Sequence, residues 1–96
     1  MQVARTILDQ LGGNKFIAMT GAKNLAGGDN FLSMKLPRNK SGANYLRITL
    51  SPMDDYTVQF DKINKSIGMT VFCSGGIYCD QLQEVFTSVT GLDTRL

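Results

Sequence analysis

The 96-residue sequence predicts an α+β domain, a two-layer sandwich in which an N-terminal and a C-terminal helix flank about five mainly antiparallel strands. Three observations predict it. Apolar residues recur at helical spacing at both ends of the chain, they alternate with period two between those ends, and the connections are too short for crossovers. Apolar types make up 43% and charged types 19%, a balance that builds a core and argues against disorder. The reading is one domain over 1–96, and no internal repeat, low-complexity tract or linker interrupts it.

The first helix spans 2–11. At about 100° per residue, Val3, Ala4, Ile7, Leu8 and Leu11 share one stripe while Arg5, Thr6, Asp9 and Gln10 take the rest, and Gly12-Gly13 stops it. Lys15–Thr20 is compatible with a first strand, Phe16 and Ala18 opposing Ile17 and Met19, and the stretch from 14 to 30 is rich enough in Gly and Asn to be partly loop. Phe31–Leu36 alternates Leu32, Met34 and Leu36 with Phe31, Ser33 and Lys35, and Pro37 ends it. Asn39-Lys40-Ser41-Gly42 is turn chemistry leading into Tyr45–Leu50, where Leu46, Ile48 and Leu50 point inward. Pro52-Met53-Asp54-Asp55 turns into Tyr56–Lys62, with Tyr56, Val58 and Phe60 inward. Ile67–Cys73 follows, read with Ile67, Met69, Val71 and Cys73 inward. From Tyr78 a second helix carries Leu82, Val85, Phe86 and Val89 on one stripe and ends at Gly91.

Several chemistries are excluded at once. Histidine is absent, which removes every His triad, imidazole base and His–metal site. Cys73 and Cys79 lack the further ligands that zinc takes, and they read as free, buried thiols in a reducing compartment. No metal and no cofactor are expected. Asp54-Asp55 beside Pro52 is turn material, and Ser74 has no base to activate it. The loop Thr20–Asn30 contains glycines and Lys23 without the spacing of a phosphate-binding P-loop. The chain reads as a non-enzyme. No apolar run approaches the ~18 residues of a membrane span, and no signal core is visible near the N-terminus, so a soluble protein is expected, with no membrane partner.

Charge and the uncovered sheet face direct attention to binding. Residues 1–50 hold seven basic side chains against two acidic, and residues 51–96 three against six, so the net +2 hides an uneven distribution. The sheet face away from the helices should present Phe31, Ser33, Lys35, Tyr45, Arg47, Thr49, Thr57, Gln59, Asp61, Thr70 and Phe72, with Arg38 and Lys40 extending it along the hairpin. Aromatic rings beside cations on an open sheet suit single-stranded nucleic acid, and the same rings suit a protein partner or a second copy. The candidate binding residues are therefore Phe31, Lys35, Arg38, Lys40, Tyr45 and Arg47. Lys23 and Asn24 of the glycine-rich loop form the alternative set.

The stretch Leu11-Gly12-Gly13-Asn14-Lys15-Phe16-Ile17-Ala18-Met19-Thr20-Gly21-Ala22-Lys23-Asn24, with Gly76–Leu92 near the C-terminus, resembles a family of small single-domain proteins carried by bacteriophages and mobile elements. The resemblance spans nearly the whole chain and brings no assigned activity, ligand or catalytic residue with it. It implies an accessory protein of the bacterial host cytoplasm, acting by binding a host or defence protein as a counter-defence inhibitor or sequestering protein. A nucleic-acid- or nucleotide-binding accessory protein using the basic, aromatic sheet face is the second reading.

Overall fold

In the computed structural model, which describes residues 2–37, 39–64 and 67–92, α1 (Gln2–Leu11) and α2 (Asn14–Thr20) precede an antiparallel meander. Its strands are β1 (Lys23–Gly27), β2 (Phe31–Lys35), β3 (Tyr45–Leu50), β4 (Tyr56–Asn64) and β5 (Ile67–Ile77), in the order β1-β2-β3-β4-β5. A 3₁₀ turn at Cys79–Gln81 leads into α3 (Leu82–Thr90). The thinnest dimension, 21 Å, is what one sheet and one helical layer occupy at about 10 Å each.

The core lies between those layers. Leu32, Met34, Leu46, Ile48, Val58 and Phe60 project from the sheet, and Ala4, Ile7 and Leu11 of α1, Phe16 of α2, and Leu82 and Phe86 of α3 close over them. The ring of Phe86 meets Phe16 edge-on at 5.0 Å between centroids and Phe60 at 6.1 Å, so three elements converge on one aromatic contact. Gln83 Nε2 donates to the Leu11 carbonyl at 2.8 Å, satisfying an acceptor that the end of α1 leaves open.

Residues 14–20 are helical and not a strand. Phe16 and Thr20, four apart, are both buried on one side of α2, which is helical spacing. The Thr20 hydroxyl donates to the Phe16 carbonyl at 2.7 Å and accepts from the Ala22 N–H, and Gly21 then turns left-handed at φ 74°. The end of α3 repeats this device with Thr90, the Phe86 carbonyl, the Leu92 N–H and Gly91. The first strand falls instead on Lys23–Gly27.

The outer strand also differs from its expected facing. Phe72 pairs with Phe60 and turns toward the core, its ring edge-on at 6.0 Å, so it leaves the open face. Between the Phe60↔Phe72 and Asp61↔Thr70 pairs β5 has one extra residue, Val71. This bulge breaks the alternation. Cys73, paired with Gln59, points to the open face, and Ile67, Met69 and Val71 are exposed, outside the core. Both thiols are free and neither is buried.

Tyr56 sits in the floor of the core, and burial raises its phenol above the ordinary value near 10, with the Gln10 side chain opposing the shift. The folded chain thus holds this proton more tightly than the unfolded chain. The stability it contributes is whole below the ordinary phenol pKa and is lost as pH climbs through the raised one. Tyr56→Phe is expected to flatten the alkaline decline in urea midpoint between about pH 9 and 11 relative to wild type. Parallel declines in the two proteins would contradict it.

Candidate binding surface

All three helices lie on one side of the sheet, and among the described residues no element covers the other side. Strand register sets its rows, because antiparallel partners share a face. Lys23 pairs with Lys35, Lys35 with Tyr45, Tyr45 with Asp61 and Asp61 with Thr70. The next row runs Ala26, Ser33, Arg47, Gln59 and Cys73, and the next Phe31, Thr49 and Thr57.

Within these rows the Arg47 guanidinium carbon stands 4.2 Å over the Phe31 ring. The stack orients a planar cation while leaving its edge donors free, which a lysine could not reproduce. Ser33, the register partner of Arg47, is buried although it belongs to this face, and its hydroxyl reaches the Ala26 carbonyl at 3.5 Å. Behind the ring is Gly28, where a Cβ would fall 2.2 Å from Phe31 Cε1; the absence of a side chain there gives the ring its seat. Asp61, the acid of the face, is held by the Gln59 amide, which donates to both carboxylate oxygens at 3.1 Å.

At the other end of the face Lys35, Tyr45, Asn24, Asn44 and Ile63 line a shallow concavity of about 370 Å³. Asn44 anchors its rim by acting as a strand residue with its side chain. Its amide donates to the Ile63 carbonyl at 2.8 Å and accepts from the Ile63 N–H at 2.9 Å.

The two candidate sets of the sequence thus become one. Phe31, Lys35, Tyr45 and Arg47 share the face as expected, and the pairing of β1 with β2 adds Lys23, with Asn24 on the same rim. Asn44 and Ile63 were not among the candidates. Lys40 separates from the others: its N–H donates to the Thr90 carbonyl at 3.2 Å and its stem lies against Gly91, at the C-terminal end of α3. Arg38 lies outside the described residues. Among the described residues no three His, Cys, Asp or Glu side chains gather where a metal could be held, and no helix is long and apolar enough to cross a membrane. The chain matches no protein-family model, no curated protein and no solved structure.

Proposed function

We propose that this is a non-enzymatic binding protein, a phage-type accessory factor that blocks a bacterial host or defence protein by docking its open sheet face on an acidic, partly apolar surface. The observation that carries this reading is the convergence of Lys23, Lys35 and Arg47 with Phe31 and Tyr45 on a face that no helix covers. Cations supply steering and register, and the half-buried rings of Phe31 and Tyr45 supply the kind of anchor that dominates protein interfaces. The resemblance to phage and mobile-element proteins supplies the host context.

A nucleic-acid or nucleotide ligand is the second reading, favoured by the Phe31–Arg47 stack and by the Lys23–Lys35 pair. A base stacks on such a platform for roughly 1–3 kcal/mol, and lysines neutralise phosphate. One pair of variants separates the readings. Lys35→Glu with Arg47→Glu should abolish binding of a single-stranded oligonucleotide, whose affinity in wild type falls with salt at a slope of roughly −0.7 per phosphate neutralised. Against a host protein retained from bacterial extract, Phe31→Ala with Tyr45→Ala should weaken retention more than the charge reversals do. If neither double variant changes binding or biological effect, the open face is not the working surface.

A further inference from the structure

The two edges of the sheet are unlike. β1 is five residues long, opens on Lys23, takes a positive φ at Asn24 and is bulged between Lys23 and Ala26. Its shortness and its edge lysine are what discourage further pairing. β5 has eleven residues, no charge and no proline, and it leaves Ile67 74% and Met69 67% exposed. A long uncharged edge with exposed apolar side chains is a template for another strand.

The strand itself indicates which one. Ile67 and Met69 pair with Asn64 and Lys62, which puts them on the helix side of the sheet but outside the described core. The other half of β5 is small, Ser74-Gly75-Gly76, and with Phe72, Val85 and Val89 it borders a groove of about 410 Å³ between β5 and α3. One half of the strand offers bulk and the other offers room. Antiparallel pairing about a two-fold axis at Phe72 sets each half of one copy beside the opposite half of the other. Both contacts are then made twice, as an isologous interface requires. The bulge at Val71 falls near that axis; Ile67–Thr70 is regular on one side, and on the other a second register shift at Gly75-Gly76, with Gly76 at φ 69°, widens the room that half offers. With no charge in β5, self-pairing meets no like-charge repulsion across the seam. Lys62, beside Met69, and Glu84, on the groove, bring opposite signs to the same side of the seam.

We propose that the protein forms a homodimer in which β5 pairs antiparallel with β5 of a second copy, Ile67 and Met69 of each seated over the β5–α3 groove of the other. The result is one ten-stranded sheet carrying two open faces. This does not depend on what those faces bind.

Sedimentation of the full chain across a concentration series is expected to give twice the 10.5 kDa chain mass. Ile67→Lys with Met69→Lys should weaken association at least about tenfold, with a urea midpoint that matches wild type at concentrations too low for either to associate, because both positions are exposed in the single chain. Cys73 lies next to the proposed axis, so in a Cys79→Ser background a short bis-maleimide should link two chains through Cys73, and the double-lysine variant should lose the link. A wild-type chain that sediments as a monomer throughout the series overturns the proposal. So does a dimer indifferent to the lysines but broken by Phe31→Ala with Tyr45→Ala, which would assign association to the open face.

Discussion

Phe86→Ala is expected to destabilise the fold by about 3–5 kcal/mol, the range for truncating a buried Phe. A domain of this size has roughly 5–15 kcal/mol in total, so the variant should lose a large part of its urea resistance. The reason lies in convergence. Phe86 is 1% exposed and touches Phe16 of α2 and Phe60 of β4, so its removal opens a void bordered by three elements. The helices have no other layer beneath them, and closing the void requires α2 or α3 to sink toward the sheet. Phe72→Ala is the companion measurement. That ring meets Phe60 edge-on as well, but it is half-buried beside the groove, so truncation there should cost clearly less. Equal losses in the two variants would mean that α3 does not seat on Phe60.

These aromatic contacts mark where periodicity was informative and where it ran out. Both terminal helices, and β2, β3 and β4, follow from apolar spacing because each has one buried face and one wet one. The run Phe16-Ile17-Ala18-Met19 has no such contrast. Four consecutive apolar residues satisfy a period of two and of 3.6 alike, and only the glycines at 13 and 21 bracket a helix too short for a full stripe. β1 escaped notice because an edge strand of Lys, Asn, Leu, Ala and Gly buries little and is held by its ladder with β2. In β5 the alternation itself is real. The Val71 bulge shifts its phase, sending Phe72 inward and Cys73 outward, and an uninterrupted Ile-x-Met-x-Val-x-Cys alternation gives no sign of where the extra residue sits.

The candidate surface divides in the same way. Phe31, Lys35, Tyr45 and Arg47 were legible because each belongs to a strand whose opposite face is plainly apolar. The place of Lys23 beside Lys35 depends on β1 pairing, which spacing along the chain does not encode. Lys40 departs from the face that the hairpin is expected to extend, and lies instead at the end of α3. Asn39 folds its loop locally, donating through Nδ2 to the carbonyls of Pro37 and Ala43, and the next N–H finds the end of α3. Local turn chemistry was readable, whereas the tertiary contact that aims the turn was not.

Gly27→Ala should lower stability by about 1–3 kcal/mol, through overpacking and not through backbone strain. A Cβ at Gly27 would stand 2.4 Å from the Cβ of Ala4, where carbon atoms prefer about 3.5–4.0 Å. Nothing flexible is available to yield, because the Ala4 Cβ is fixed to the backbone of α1. The helix must therefore lift from β1, loosening the buried contacts that Ile7 and Leu11 make beneath it. Ala4→Gly removes the opposing methyl and by itself should cost about 1 kcal/mol of helix propensity plus a small packing loss. In the double variant the two changes compensate, so its loss should fall short of the sum of the single losses by about 1 kcal/mol or more. Gly42→Ala is the control. Its φ of +79° makes it costly for a backbone reason, and with nothing within 4 Å of its Cβ it has no clash for Ala4→Gly to relieve. Urea midpoints of these four variants, and of Gly42→Ala combined with Ala4→Gly, decide the matter: additive losses for Gly27→Ala and Ala4→Gly would show that α1 does not rest on β1 at this contact.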